Sequence, residues 1–358
     1  MIRSGDWSDT NLAWAYYNLG TAYQRFGEYR RAIQDLDEAL RLDSSNALSF
    51  NNRAIAYVGL GEHRRAIQDY DQALRLDPGY AFASYFRGVA YFKLGEYRPA
   101  IQDFNLALRL DPSLAEAHYN RAYAYDKLGE YRRAIQDFDV ALRLVPDDPG
   151  AYYNRGKAYL SLGEHRRAIR DFDRTLALVP GYAYAYVDRG LAYRRLGEHQ
   201  RAIQDYDQAL SLDPGSALAY NNRGNAYRSL GEHRRGIQDY DEALRLDPSL
   251  AVAYGNRGLP YSGLGDHRRA IEDYDQALRL DPSLVSTYYG REYASKFLGR
   301  VEAALADWET AIGLAGAAGV RRWQEWTRDK GHCRGAVDGI YGPEVRAALI
   351  ACARDPDC

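Results

Sequence analysis

The sequence predicts an all-α fold, a solenoid of nine helical hairpins stacked end to end and closed by a small helical segment that carries every cysteine. Three observations predict it. Gly27, Gly61, Gly95, Gly129, Gly163, Gly197, Gly231, Gly265 and Gly299 stand 34 residues apart. Two rows of small residues keep that period: Ala32 to Ala304 with Gly236 filling one gap, and Gly20, Ala54, Gly88, Ala122, Gly156, Gly190, Gly224 and Gly258. Leu-Asp-Pro recurs at Pro78, Pro112, Pro214, Pro248 and Pro282. A fixed period sustained along a chain is the signature of repeat architecture.

Each row has a physical reason. Small side chains let the two helices of a hairpin cross closely. Aromatic residues fill the space beside them, from Tyr23 to Tyr261 on the first helices and Tyr70, Phe104, Phe138, Phe172, Tyr206, Tyr240 and Tyr274 on the second. The prolines end each second helix and pre-set the entry to the next hairpin. The resulting organisation is a lead-in over 1–12, nine repeats over 13–315 and a separate segment over 316–358. The last repeat has Glu292 at a small-residue slot and Ser295 in the tyrosine row, as suits a terminal unit. Pro260 falls inside a first helix and predicts a kink, whereas Pro99 lies in an opening turn, where proline is tolerated.

Bulk properties narrow the function. At 358 residues the chain exceeds the roughly 250–300 at which single cores stop growing, which an elongated stack accommodates. With 47 Lys plus Arg against 49 Asp plus Glu there is no broad basic field, so nucleic acid is not the expected ligand. No apolar stretch approaches the ~20 residues of a membrane span. Trp7 leads into the first repeat with no polar capping helix before it, so the chain is expected to be a mature or trimmed product. Cys333, Cys352 and Cys358 are confined to the tail, which suits an oxidising compartment, and their odd number leaves one thiol over.

The segment AWAYYNLGTAYQRFGEYRRAIQDLDEALRLD resembles the tetratricopeptide repeat in its aromatic, Leu-Gly, Tyr, Gly, Ala, aromatic and Ala slots. The resemblance covers about Ala13 to Leu314. It implies antiparallel helix pairs in a right-handed superhelix whose first helices line a concave groove. An unbroken row, Arg53, Arg87, Arg121, Arg155, Arg189, Arg223, Arg257 and Arg291, stands where the family more often has leucine. Acids on the second helices, such as Asp69 and Asp71, lie within reach of it, so a ladder of internal ion pairs is expected. His63, His165, His199, His233 and His267 occupy one slot in separate hairpins. They cannot converge within ~2 Å of one metal ion.

Given the implied groove, its partner-facing residues are expected among Tyr17, Asn18, Asn52, Phe82, Tyr85, Phe86, Tyr119, Asn120, Tyr153, Asn154, Asn222 and Asn225. Asparagine offers a donor and an acceptor to a peptide backbone, and tyrosine offers rigid contact area. Asparagine at this slot equally suits bonding to the neighbouring repeat. Chaperone-docking members of the family hold a chain-terminal carboxylate with Lys, Asn and Arg. Here the matching slots contain Tyr, Asn, Leu or Phe, and only Asn222 with Asn225 echoes them.

In the tail, Val337-Asp338-Gly339-Ile340-Tyr341-Gly342-Pro343, with Trp323, Trp326 and Arg346, resembles the peptidoglycan-binding-like domain of bacterial wall proteins. The resemblance implies a wall-contacting loop at Asp338, Gly339, Tyr341, Gly342 and Pro343. It also implies a bridge from Cys333 to Cys352 or Cys358 in place of a buried aromatic. Which pair forms stays open. The expected function is a non-enzymatic scaffold, without cofactor or metal, that binds a protein or extended peptide and is anchored to peptidoglycan in the periplasm or cell envelope. The alternatives are a cytoplasmic location and a permanent subunit of a larger assembly. No paired carboxylates or nucleophile–base set stands outside the repeated slots.

Overall fold

The computed structural model describes residues 8–329 and 342–354. Among these residues the regular elements are all helices, and the chain divides into two compact units, Met1–Pro180 and Gly181–Cys358. The first contains α1 (Asp9–Arg25), α2 (Tyr29–Leu42), α3 (Ala47–Gly59), α4 (His63–Leu76), α5 (Ala81–Lys93), α6 (Tyr97–Leu110), α7 (Ala115–Lys127), α8 (Tyr131–Leu144), α9 (Pro149–Ser161) and α10 (His165–Leu178). The second contains α11 (Ala183–Arg195), α12 (His199–Leu212), α13 (Ala217–Ser229), α14 (His233–Leu246), α15 (Ala251–Gly263), α16 (His267–Leu280), α17 (Val285–Phe297), α18 (Val301–Asp329) and α19 (Pro343–Arg354).

The periodic glycines make the turns within hairpins. Gly61 has φ +77°, and all nine members of the row lie in the left-handed region that favours glycine. Around it, Gly61 N–H donates to Val58 O and Glu62 N–H to Tyr57 O, at 2.9 and 2.8 Å, which satisfies the last carbonyls of α3 before α4 begins. Several odd helices open on a side-chain cap, as where Ser49 N–H donates to Asn46 and Gly150 N–H to Asp148. Small residues then permit close crossing. A Cβ at Gly88 would lie 2.8 Å from the Phe104 ring, which is wholly buried. Burial of a ring of that size contributes about 2–3 kcal/mol.

Successive hairpins nest through two contacts. Within each unit the even helices pack on the odd helices that follow them, and consecutive odd helices touch one another, as α3 touches α5 and α13 touches α15. The even helices have no comparable mutual contact. The odd helices therefore form the inner side of each stack.

Pro260, expected to kink its helix, is buried within α15, which has the same 13-residue length as α13. The ring occupies a slot that other repeats fill with buried alanine, at the loss of one backbone donor. The described part of the tail packs on the ninth hairpin. Helix α18 is interrupted at Gly316 (φ 64°, ψ −160°), and beyond it Val320, Val345 and Leu349 pack with Trp308 and Ile312. Arg346 also pairs with Glu309 at 2.9 Å. The described part of the tail covers apolar surface that a tenth hairpin would otherwise cover.

Candidate functional site

The arginine row forms the expected ladder, whose members join two hairpins within each unit. Arg87 on α5 holds Asp103 of α6 through Nε and Nη2, at 2.8 and 2.5 Å, while its Nη1 donates at 2.7 Å to Asp71 of the preceding α4. The same three bonds recur at Arg53, Arg155, Arg223, Arg257 and Arg291. Arg121 keeps the geometry with Asn105 as the backward acceptor. The two acids differ in setting, since the side chain of Asp103 is 6% exposed and that of Asp71 is 43% exposed. Hydrogen bonds donated to Asp103 hold Arg87 well above the ordinary arginine value although burial opposes them. Burial pushes Asp103 up, and Arg87 acts against that rise. These groups are engaged with one another and serve the stack.

The histidine slot is structural as well. Each of the five opens an even helix, and the His233 ring lies against Gly263 of the next odd helix. His267 stacks on Phe297 at 4.7 Å. Among the described residues no group of three or more His, Cys, Asp or Glu is placed to hold a metal ion.

The expected groove residues divide into three settings. Tyr85 and Tyr119 accept hydrogen bonds from Asn120 and Asn154 of the next hairpin, at 2.9 and 2.8 Å, and lie against Phe104 and Phe138. Tyr153 lies against Phe172. Asn52 reaches back to Thr21 at 3.0 Å, and Phe86 stacks on buried Tyr70. Tyr85, Tyr119, Asn52 and Phe86 connect repeats, and all of these residues are partly covered. Asn222 and Asn225 are buried, the latter accepting from the Tyr240 hydroxyl at 3.1 Å. Asn18 and Phe82 are exposed, and Tyr17 is half-covered beneath Trp14. Asp338, Gly339, Tyr341, Cys333 and Cys358 lie outside the described residues. So does the side chain of Cys352. Gly342 is half-buried, and Pro343 opens α19 as an exposed residue.

Apart from Phe82, one row on the inner face was missed in the sequence. The second residue of most repeats is a solvent-exposed apolar group on an odd helix: Trp14, Leu48 and Phe82 in the first unit, Tyr184, Leu218 and Val252 in the second. Exposure reaches 55% at Trp14, 50% at Phe82 and 66% at Tyr184. Residues three, seven and ten positions later share that helix face, so each odd helix presents a stripe such as Phe82, Tyr85, Val89 and Phe92. The signal was present as a further row of period 34.

The comparisons agree with this architecture. Models described as tetratricopeptide repeat or TPR repeat match residues 17–81, 88–129, 127–163, 153–217, 187–251 and 251–284. The chain belongs to the tetratricopeptide repeat family. No curated protein sequence matches it. Among solved structures, a tetratricopeptide repeat protein from Parabacteroides merdae is 23% identical, with a TM-score of 0.51, and the match covers 69% of this chain and 98% of that one. MamA is 30% identical over 45% of this chain and 94% of its own, with a TM-score of 0.44. YrrB, described as a TPR protein with an unusual peptide-binding site, is 26% identical over 51% and 95%, with a TM-score of 0.48. In the described part of this tetratricopeptide chain no helix is long and apolar enough to cross a membrane.

Proposed function

We propose that the protein is an interaction scaffold that holds an extended polypeptide segment against its odd helices. The row of exposed apolar side chains at Trp14, Leu48, Phe82, Tyr184, Leu218 and Val252 carries this reading. Exposed apolar groups recurring on one face mark an interaction surface, whereas isolated ones need no explanation. The polar groups beside them, including the Asn–Tyr pairs, suit a peptide backbone better than an apolar groove alone would. A small-molecule reaction calls for a concave site with convergent chemistry, and the repeated acids and arginines are already paired with one another. Substituting Phe82→Ser together with Tyr184→Ser tests the reading. Recovery of the partner from native cells falls while thermal unfolding is unchanged. Undiminished recovery contradicts it.

Contact with peptidoglycan and residence in a bacterial envelope rest on the sequence of the tail. Sedimentation of the full chain with purified sacculi, compared with Asp338→Ala plus Tyr341→Ala, tests that part. Its failure leaves the described tail as a cap on the ninth hairpin, in line with the core shared by Trp308, Val345 and Leu349.

A further inference from the structure

Rows that repeat in every hairpin serve the stack, so information about a ligand lies where some hairpins depart from the rest. The last position of the inner stripe is such a place. In the first unit it holds Gln24, Val58, Phe92, Asp126 and Leu160, and in the second Arg194, Arg228, Ser262 and Lys296. Cations occupy it in the second unit alone.

Arg194 and Arg228 are also unlike the ladder arginines. Both are partly buried, their Nε atoms are covered and without a hydrogen-bond partner, and neither forms an ion pair with a described residue. What stands beside them is neutral. Arg194 lies by the Tyr206 hydroxyl, and both guanidiniums lie near that of Tyr240, which donates to Asn225 Oδ1. The acids nearest the two tyrosines in the chain are otherwise placed: Asp205 and Asp239 are held bidentately by Arg189 and Arg223. A tyrosine hydroxyl accepts a hydrogen bond but supplies no compensating charge, and a partly desolvated cation is costly unless paired.

The geometry points to a carboxylate site on α11 and α13, where an acidic side chain of the bound polypeptide is held by Arg194 and Arg228 beside the Tyr206 and Tyr240 hydroxyls. Guanidinium forks suit a planar carboxylate in two-bond contact. The site uses the last stripe position and not the slots of the chain-terminal clamp. It rests on the odd-helix face being the partner face and adds the chemistry recognised there.

A fluorescein-labelled, end-capped hexaglutamate peptide, with hexaglutamine as its neutral counterpart, is titrated into the full chain by anisotropy. Hexaglutamate binds the wild-type protein more tightly than hexaglutamine. Arg194→Gln with Arg228→Gln weakens it by about tenfold or more, the scale of one charge-assisted hydrogen bond. Arg195→Gln, on the exposed neighbour, leaves it nearly unchanged, and Arg194→Lys with Arg228→Lys falls between. Equal binding of the two peptides, or of hexaglutamate to the wild-type and double-Gln chains, overturns the site. Displacement by equimolar inorganic phosphate also overturns it, by identifying a free oxyanion as the ligand. A partner that still crosslinks at Phe82 with unchanged affinity for the double-Gln chain removes the carboxylate site and leaves the scaffold standing. Loss of partner contact at Phe82 in the wild-type chain removes the scaffold itself.

Discussion

Replacing Asp103 by Ala should destabilise the protein far more than replacing Asp71 by Ala, although both acids bond the same guanidinium. Asp103 meets Arg87 through two bonds, and its side chain is 6% exposed; Asp71 meets it through one and is 43% exposed. Removing one member of a buried pair costs about 3–5 kcal/mol. Because Arg87 retains Asp71 and a 20% exposed side chain, the lower end, about 3 kcal/mol, applies to Asp103→Ala. An exposed arm is worth about 0–1 kcal/mol, and Asp71→Ala belongs there. A repeat stack distributes stability locally, so hydrogen exchange is the appropriate assay. Amides of α5 and α6 should lose roughly 100-fold in protection in Asp103→Ala and less than about fivefold in Asp71→Ala. Similar losses in the two variants would refute the assignment of nesting energy to the buried arm.

Other expectations follow from the same structure. Burial, aided by Asp307 and opposed by Lys296, raises Glu292 from the usual 4.5 to about 7. An acid raised in the folded state retains its proton there while the unfolded chain has lost it, so its contribution is present below 4.5 and is lost as pH rises through about 7. Urea unfolding from pH 5 to 8 should show Glu292→Gln gaining on the wild type with rising pH, by roughly 3 kcal/mol in all. A constant difference counts against a buried, neutral Glu292. Gly61→Ala forces a side chain into φ +77° and should cost about 1 kcal/mol, read as a lower denaturation midpoint; no change would contradict the left-handed turn. Tyr119→Phe keeps the contact with Phe138 but deprives Asn154 of its acceptor, with an expected loss of about 1 kcal/mol. If Tyr119→Phe instead weakens partner binding at unchanged stability, that hydroxyl faces the ligand.

Much of the architecture was legible because its causes are local and repeated. The left-handed turn at each glycine and the small crossing residues recur in the same slots, and the arginine row announced ion pairs. Which acid serves which hairpin was not legible. Asp69 and Asp71 are two residues apart in sequence, yet Asp69 stays with Arg53 of its own repeat and Asp71 reaches Arg87 of the next. The groove residues Tyr85 and Tyr119 read alike as ligand contacts or as packing, because only their placement reveals the inter-repeat bonds. Arg194 and Arg228 were hidden among many arginines, since lack of an ion-pair partner has no sequence signature. In the tail, segregated cysteines obscured the apolar Val320, Val345 and Leu349, which join the core of the ninth hairpin.

The central claim is that a partner lies on the odd helices. Photocrosslinking in native cells, with the reactive residue placed at exposed Phe82 on α5 or at exposed Gln102 on α6, tests it most directly. Adducts to a discrete partner from position 82 and none from position 102 are the predicted result. Adducts from position 102 alone would move the binding face to the even helices and contradict the account.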